Sequence, residues 1–377
     1  MRILIKDHGR ESGIALMIVM VVIFVLAALV GKFAYAMNVE MRLARNSDYD
    51  SELEWLGRAG VELARYVIIG KNNIPGQQNV DALNQKWAGG TGNPDQQDFL
   101  SGISMNDVQL GDGRITVKIT DSDRKFNINT VARNPGANLV ILQQAMTMMG
   151  VDPDTSSGVT DCILDWVDPD DSRRINGAED DYYLHMPQPY YCKNGPIDDM
   201  CELLLVKNIA EHPEVYWGGP ATNNQASSYQ QRGLNLSGRQ EDRSYPFGLH
   251  DLFTAFSGGR LNINTANVTA LQLVPGIDPG LAENIIQFRA GPDGADGTED
   301  DVPFQNVGEL SNIPGVGRGV AVAAFAQFCD VRSSTFEVTV DAEINGYSRH
   351  YFALLRRAGQ NPGQTANNLQ LFKFYWK

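Results

Sequence analysis

One short stretch of the sequence is unusually dense in carboxylate groups. Seven of them stand between positions 165 and 181: Asp165, Asp168, Asp170, Asp171, Glu179, Asp180 and Asp181. Carboxylates this close together repel one another, and a hard cation that takes about six to eight oxygen ligands relieves the repulsion. The stretch therefore predicts a metal site with these seven residues as candidate ligands and calcium as the ion. Because the spacing is not that of an EF-hand, a solvated acidic turn stays open as the alternative.

A second acidic segment, DGADGTEDD, occupies positions 293–301. The same repulsion argument applies to it more weakly. Its glycines suit a tight ligand loop and a flexible insertion equally well. Its role in metal binding therefore stays open.

The sequence contains no pattern typical of an enzyme active site. The histidines, at positions 8, 185, 212, 250 and 350, show no zinc-like spacing, and no G-x-S-x-G nucleophile motif occurs. Clustered aspartates can hold two metal ions for phosphodiester hydrolysis, but such an enzyme also needs basic residues that bind its substrate. We therefore predict that the protein is not an enzyme.

Composition and charge limit the partners of the chain. It has 377 residues, of which 43% are hydrophobic, so it can bury a core and is long enough for two domains beyond an anchor. Lys and Arg number 31 against 45 Asp and Glu, a formal net charge of -14. This balance repels phosphate backbones, and we expect no nucleic-acid partner.

Two segments, at positions 273–286 and 313–317, resemble helix-hairpin-helix motifs. In nucleic-acid binders of that kind, a glycine turn presents backbone amides to a phosphate, with basic residues nearby. Between Asp251 and Arg332 the chain has 10 acidic residues and 4 arginines. The charge favours a helical hairpin used as scaffold, and a periplasmic DNA-binding protein stays open as the alternative function.

The elements that must carry these loops begin with an apolar run at positions 14–31. About 18 residues at about 1.5 Å each give roughly 27 Å, enough for a helix to cross most of a bilayer core. Three basic residues before the run place the N-terminus on the cytoplasmic side. A plain signal anchor stays open, as does a signal peptide cleaved after Ala34-Tyr35-Ala36 to leave Met37 first.

After the apolar run the pattern stays helical but becomes amphipathic as far as Ile69, and no proline occurs before Pro75. A continuous helix from Ile14 to about Ile69 would be roughly 80 Å long. A coiled coil is the weaker alternative because no strict heptad is sustained.

Alternation of apolar and polar residues predicts one early strand, at 114–120, and three late strands, at 336–344, 347–355 and 369–376. We expect these strands to form one antiparallel sheet on the long helix. The residues between them, 127–331, then form an inserted domain, and their pattern is mostly helical.

A short motif occurs twice in the inserted domain. Asn127-Ile128-Asn129-Thr130 returns as Asn262-Ile263-Asn264-Thr265, and each copy precedes an apolar helix, predicted at 139–149 and 268–273. An asparagine or threonine is a good N-cap for such a helix. The repetition suggests an internal duplication of a helical unit.

The four cysteines are Cys162, Cys192, Cys201 and Cys329. In a chain whose bulk lies outside the cytoplasm, an even number allows disulfides, and Cys192 with Cys201 is the preferred pair. Spacing alone does not fix connectivity, so buried free thiols stay open.

A charged leader that ends at Gly13 and passes directly into an apolar helix at Ile14 resembles the processing site of type IV prepilins and pseudopilins. That family usually carries a glutamate at the fifth mature position, which is Ile18 here. The missing carboxylate, the Asp165-Trp166-Val167-Asp168 segment and its continuation from Gly177 to Tyr183 together resemble the K-type minor pseudopilin of type II secretion systems.

The resemblance implies an α+β fold, in which a pilin-like long N-terminal helix packs on an antiparallel sheet and carries a large, mostly α-helical inserted domain with helix-hairpin-helix-like motifs. The expected divisions are a prepilin leader (1–13), a transmembrane part of the helix (14–31), the amphipathic helix with the first part of the pilin-like domain (32–126), the insert (127–331) and the C-terminal strands (332–377).

The resemblance also implies a function and a location. The chain is expected to be cleaved by prepilin peptidase between Gly13 and Ile14, to be N-methylated, and to rest in the inner membrane with its bulk in the periplasm. Its expected partners are the I-type and J-type minor pseudopilins and the major pseudopilin. At the tip of the pseudopilus it would initiate or cap assembly, with calcium in its acidic loops and Ile18 marking a first subunit.

Overall fold

The structure, a computed structural model, describes residues 11–90, 99–133, 138–218, 245–316, 320–357 and 368–376. Two hydrophobic cores organise these residues. One lies between the long helix and a five-stranded sheet. The other lies inside the segment inserted between two strands of that sheet.

Helix α1 runs from Glu11 to Gly70 without interruption, which confirms the predicted long helix. Its apolar window is not buried against any other described part of the chain, and α1 is long and apolar enough to cross a membrane. Ile14 and Ile18 are both exposed. The predicted leader lies mainly at positions 1–10, outside the described residues, so its cleavage stays a prediction.

The main sheet has the strand order β1-β2-β7-β8-β9 and is antiparallel throughout. Its strands are β1 (Val108–Leu110), β2 (Gly113–Asp121), β7 (Thr335–Ile344), β8 (Tyr347–Arg357) and β9 (Leu369–Trp376). The early strand pairs with the first late strand, as predicted. Only β1 was missed, because three residues are too few for an alternating pattern to show.

The second half of α1 packs on this sheet through one apolar face that includes Leu53, Val61, Ala64 and Ile68. Gly57 and Gly60 lie on the same face and let the helix backbone approach the strands closely. A Cβ atom at Gly60 would stand 2.5 Å from a methyl carbon of Val340. Two glycines in a helix are normally unfavourable, and this contact explains their presence.

We expect Gly60→Ala to destabilise the protein by about 1–3 kcal/mol, because the new methyl group overpacks the helix–sheet core. Alanine has the higher helix propensity, so the same change at Gly31, which has no neighbouring atom within 4 Å, should be neutral or stabilising. Urea unfolding of the full chain in detergent measures both. Equal effects at the two positions would contradict the packing argument.

The insert consists of short helices around the second core. They are α2 (Ile128–Arg133), α3 (Leu139–Met149), α4 (Pro153–Val167), α5 (Asp180–Tyr183), α6 (Glu214–Trp217), α7 (Leu249–Leu252), α8 (Val268–Leu271), α9 (Pro279–Arg289) and α10 (Val320–Phe328). Two-residue parallel pairings link β3 (Phe126–Asn127) to β4 (Phe253–Thr254), and β5 (Leu261–Asn262) to β6 (Cys329–Asp330).

The repeated motif makes the same contacts twice. Its second asparagine, Asn129 or Asn264, accepts a hydrogen bond from one backbone N–H and donates to the C=O of the same residue, which is Ile197 in the first copy and Phe304 in the second. Its first asparagine is the last residue of a two-residue parallel pairing in each copy. These matched contacts support the predicted duplication.

A buried ionic cluster joins the insert to the domain formed by α1 and the main sheet. Asp81 is fully buried and pairs with Lys71 at the end of α1 (2.9 Å) and with Arg357 at the end of β8 (2.5 Å). Asn262 of the second repeat donates to the backbone oxygen of Asp81 (2.9 Å) and to the Asp121 carboxylate (3.2 Å). Buried ion pairs and hydrogen bonds therefore hold the insert against the end of α1 and the ends of β2 and β8.

Asp121 gives this joint a pH dependence. Burial, and then the nearby Asp123 carboxylate, raise the pKa of Asp121 to about 7. A carboxyl group whose pKa is higher in the folded state stabilises the fold below its unfolded pKa, and that contribution is lost as the pH rises through the folded value. We expect Asp121→Asn to remove a loss on the order of 4 kcal/mol between about pH 4 and pH 8, measured by urea unfolding. Parallel pH profiles for the two proteins would contradict this.

None of the four cysteines forms a disulfide bond. Cys192 is buried and Cys201 is exposed, so the preferred pairing of the two is not formed. Cys162 lies beside Asn176, Asn208 and Lys207, and burial raises the pKa of its thiol to about 12. The open alternative of buried free thiols holds for Cys162, Cys192 and Cys329, whereas Cys201 is exposed.

Candidate metal centre

Helix α4 positions the first acidic loop. Asp152 caps its N-terminus by accepting a hydrogen bond from the Thr155 backbone N–H (2.9 Å), and Pro153 occupies its first turn. Asp165 lies in the last turn of α4 and is fully buried. Gly177 passes so close to the Asp165 carboxylate that a Cβ atom there would stand 1.8 Å from an oxygen. The loop is thus folded tightly around this one carboxylate.

Arg174 occupies the centre of the loop. Its Nη1 atom lies 2.6 Å from Asp165 Oδ1 and 2.5 Å from Asp168 Oδ2. Its backbone N–H donates to the second oxygen of Asp165 (3.2 Å). A single guanidinium therefore bridges the two carboxylates that flank the end of α4.

Four oxygen atoms beside this bridge have no conventional hydrogen-bond donor among the described residues. They are both carboxylate oxygens of Glu179, Oδ1 of Asp168 and Oδ1 of Asn194. Glu179 is only 3% exposed, so bulk solvent does not reach these oxygens. Buried carboxylate oxygens without donors are costly, and a bound cation is one way to satisfy them.

The electrostatics agree with this geometry. Burial raises the pKa of Glu179 to about 7; the Cys192 thiol opposes the rise, and the negative charges of Asp165 and Asp168 add to it. Burial also raises the pKa of Asp165, against the hydrogen bonds from Arg174. The four atoms that lack a hydrogen-bond donor are all oxygens, and they lie close to several negative charges. A hard divalent cation prefers oxygen ligands of this kind.

The other predicted ligands have protein partners. Asp170 accepts from the Ser172 N–H (2.8 Å), Asp171 from the Asn194 side chain (2.8 Å) and Asp180 from the Cys192 N–H (2.7 Å). Asp181 stands 3.8 Å from Arg173 at the surface. Among the described residues, no three His, Cys, Asp or Glu side chains converge as a finished metal cage. Two of the seven candidates, Asp165 and Asp168, are brought together by Arg174, and Glu179 lies near enough for their charges to raise its pKa.

Two residues of the centre were not found from the sequence. Arg174 stands within the acidic stretch, and a basic residue at such a position was the signal in the sequence for a counter-ion inside the loop. Asn194 follows thirteen residues after the last acidic candidate and adopts a left-handed backbone (φ 48°), which asparagine tolerates well. Only the folded loop brings it back to the carboxylates.

The second acidic loop resembles the first in sequence, Gly297-Thr298-Glu299-Asp300-Asp301 against Gly177-Ala178-Glu179-Asp180-Asp181. Arg289, at the end of α9 and only 4% exposed, binds both oxygens of Asp296 (2.9 and 2.7 Å). Asp300 and Asp301 accept backbone N–H groups of the loop. This loop is satisfied internally, and its residues do not fit a metal ion as the first loop does.

The helix-hairpin-helix segments form compact turns. Between α8 and α9, Gly276 takes a left-handed φ of 91°, and Asp278 caps α9 by accepting from the Leu281 N–H (2.8 Å). Leu271, Leu273 and Ile277 are buried in the core of the insert. The hairpin thus packs as scaffold, as its acidic composition suggested.

Comparisons with known proteins agree on one family. Residues 124–214 match the model of type II secretion system protein K, and residues 257–327 match a helix-hairpin-helix motif. Type II secretion system protein K of Pseudomonas aeruginosa is 25% identical over 288 residues, which cover 74% of this chain and 72% of that protein. A putative protein K of Escherichia coli K12 is 24% identical over 54% of this chain and 60% of its own length.

A solved structure shows the same fold. A chain in the crystal structure of the GspK-GspI-GspJ complex from enterotoxigenic Escherichia coli is 18% identical and superposes with a TM-score of 0.61. The match covers 89% of this chain and 99% of the other. The matched family model, the aligned relatives and the shared fold all point to the same protein: the chain resembles the type II secretion system protein K, a minor pseudopilin.

Proposed function

We propose that this minor pseudopilin takes the first position in the pseudopilus, where it initiates or caps assembly for protein export across the outer membrane. The proposal rests on two features found together. The first half of α1 is apolar and exposed and has an isoleucine at position 18, and a bulky insert interrupts the main sheet between β2 and β7. A subunit without a carboxylate at this position has nothing to neutralise a terminus ahead of it. The insert would prevent another subunit from stacking above.

We infer that its partners are the I-type and J-type minor pseudopilins, with the major pseudopilin below them. The solved neighbour comes from a complex with GspI and GspJ. On this chain, Trp55 and Tyr66 lie about three helical turns apart on one face of α1 and are 73% and 53% exposed. Large aromatic side chains on the free face of the helix suit a protein interface.

The proposed location is the inner membrane, spanned once by α1, with the bulk of the chain in the periplasm until the subunit enters the pseudopilus. Prepilin peptidase would cleave between Gly13 and Ile14, and N-methylation of Ile14 would follow. One intact-mass measurement of the mature protein tests this. A mass that begins at Ile14 with one added methyl group supports it, whereas a mature chain that begins at Met37 would contradict it.

We also propose calcium as the ion of the first acidic loop. The four unmatched oxygens of Asp168, Glu179 and Asn194 would hold it, with Asp165 and Arg174 supporting them from behind. When bound, calcium supplies positive charge and oxygen coordination that neutralise the buried carboxylates. In this proposal the ion stabilises the loop and has no catalytic role.

Replacing the insert by a short Gly-Ser linker tests the tip function. Asp121 and Phe336 are paired in neighbouring strands, so a short linker can join their ends without disturbing the sheet. We expect secretion to be lost and the shortened subunit to be displaced from the filament tip, as seen by immunogold labelling. Normal secretion with an unchanged tip would rule out the capping role.

DNA capture is the second candidate, favoured only by the helix-hairpin-helix match at residues 257–327. A binder of this kind should lose affinity steeply as salt increases. The excess of acidic residues in this segment predicts no salt-dependent binding at all. A DNA titration at 50 and 200 mM salt, with the full chain in detergent, separates the two functions.

A further inference from the structure

Strand β9 forms one edge of the main sheet, and no other strand of the described structure pairs with its outer side. It has eight residues, whereas β1 at the opposite edge has three. A long edge strand offers a row of backbone N–H and C=O groups to another strand unless charged side chains protect it. The one charged side chain of β9, Lys373, is bound elsewhere: its Nζ lies 3.1 Å from the backbone oxygen of Asp198 and 4.3 Å from the ring centroid of Phe256.

The side of β9 that faces α1 carries an apolar shelf, formed by Leu371 and Trp376. These two residues lie directly opposite Leu355 and Tyr351 of β8, which are buried in the helix–sheet core. The shelf therefore continues the core toward the edge of the sheet, yet Leu371 is 41% and Trp376 59% exposed. Exposed apolar side chains beside an open strand edge are the features that a partner uses when it adds a strand.

The two strands at this edge are basic, although the chain as a whole is acidic. Strands β8 and β9 contain no aspartate or glutamate and carry three arginines and one lysine, in a chain with a net charge of -14. Arg356 is exposed on the outer face of the sheet, opposite Gln370 of β9. Among the described residues no acidic side chain forms a salt bridge with Arg356. An acidic group near this edge would therefore meet a positive charge that is not already neutralised.

We propose that β9 is a docking edge for an extended segment of another polypeptide, which joins the sheet as a sixth strand and alternates apolar with acidic residues. Successive side chains of a strand point to opposite faces of the sheet. The apolar set would lie beside the shelf of Leu371 and Trp376, and the acidic set would lie on the outer face, on the side of Arg356. Main-chain hydrogen bonds to β9 would supply affinity, and the alternation would supply specificity. The inference goes beyond the assembly function and does not depend on it.

A fluorescein-labelled peptide, Thr-Val-Glu-Val-Asp-Val-Thr blocked at both ends, is the probe. Fluorescence anisotropy with the full chain in detergent should show saturable binding that weakens as the salt concentration rises. A peptide with lysine in place of both acids should bind roughly tenfold more weakly, because the charges no longer match. A peptide with proline in place of the central valine should also bind roughly tenfold more weakly, because proline lacks a main-chain donor and does not fit a paired strand.

Arg356→Glu should weaken binding of the acidic peptide roughly tenfold and strengthen binding of the lysine peptide. Lys118→Glu is the matched control, because Lys118 is an exposed basic residue on the same face of the sheet but three strands away from β9, in β2. It should change neither affinity. Trp376→Ala is a second variant in case Arg356→Glu does not fold, and it should weaken both peptides by removing half of the shelf.

Three results would overturn the proposal. The first is equal affinity for all three peptides, or no binding at about 1 mM peptide, which corresponds to a free energy of only about -4 kcal/mol. The second is an equal effect of Arg356→Glu and Lys118→Glu. The third is a stable dimer in analytical ultracentrifugation that the acidic peptide does not dissociate, because the occupant of the edge would then be a second copy of this chain.

Discussion

Asp81→Asn is expected to lower the free energy of unfolding by about 3–5 kcal/mol, because it leaves two buried cations without their counter-ion. Lys71 is 1% exposed and Arg357 is 9% exposed, and both bind the Asp81 carboxylate. The remaining acceptors for Lys71, the backbone oxygens of Gln77 and Val80, are neutral and do not replace the lost charge.

The titration of this cluster supports the expected size of the effect. Burial lowers the pKa of Lys71 to about 8 despite the attraction of Asp81. Burial disfavours the charged form of Asp81 as well, but Lys71 and Arg357 outweigh it and hold the pKa of Asp81 well below its usual range. Lys71 and Arg357 therefore keep Asp81 ionised, and the Asp81 charge in turn helps to keep Lys71 protonated.

Urea unfolding of the full chain in detergent at pH 7.5 measures the effect. The matched control is Asp107→Asn, which removes an exposed acid 3.7 Å from Arg114 and should change stability by less than about 0.5 kcal/mol. Hydrogen exchange should also rise first around residues 71–81 and 331–335, where the insert meets the pilin-type domain. A loss below 1 kcal/mol for Asp81→Asn would show that the cluster does not hold the joint.

The second large effect is expected at Glu179. In chelator, Glu179→Gln should be more stable than the wild type above pH 7, since it removes a buried charge that no strong donor matches. In calcium the order should reverse. An ion at about 100 times its dissociation constant adds about 2.7 kcal/mol to the wild type, and the variant should lose most of this gain.

Thermal unfolding of both proteins with calcium and with chelator is the measurement. Glu299→Gln is the matched control, because Glu299 holds the corresponding place in the second loop and is exposed. It should leave the calcium response unchanged. Calcium responses that are the same in all three proteins would remove Glu179 from the site, and the absence of any response would remove the metal.

Much of the scaffold could be predicted from periodicity alone. The long helix and the strands of the main sheet show clear periods of 3.6 and 2 residues because one face of each is buried and the other is not. Strand β1 was not predicted because it is short. The two-residue pairings of the insert were not predicted because each joins chain segments more than 60 residues apart.

The candidate site was predictable only as a region. A run of acidic residues indicates charge repulsion, but it does not show which carboxylates are buried. That depends on how the loop after α4 folds back on the end of the helix. Asp170, Asp171 and Asp180 each accept a hydrogen bond from a neutral group. Glu179 is buried, and neither of its carboxylate oxygens has a conventional hydrogen-bond donor. The counter-ion Arg174 and the amide of Asn194 became recognisable only from distances.

The pairing of β2 with β7 has a mechanical consequence. The insert leaves the sheet after Asp121 and returns before Thr335, and the strands it interrupts are direct neighbours. A force along α1 would therefore pass as shear into the helix–sheet core. The insert lies beside that path, joined to the sheet by two adjacent chain connections and by the buried contacts of Asn262 with Asp81 and Asp121. We therefore expect a push or pull on α1 to load the core between the helix and the sheet, and to load the separate core of the insert much less.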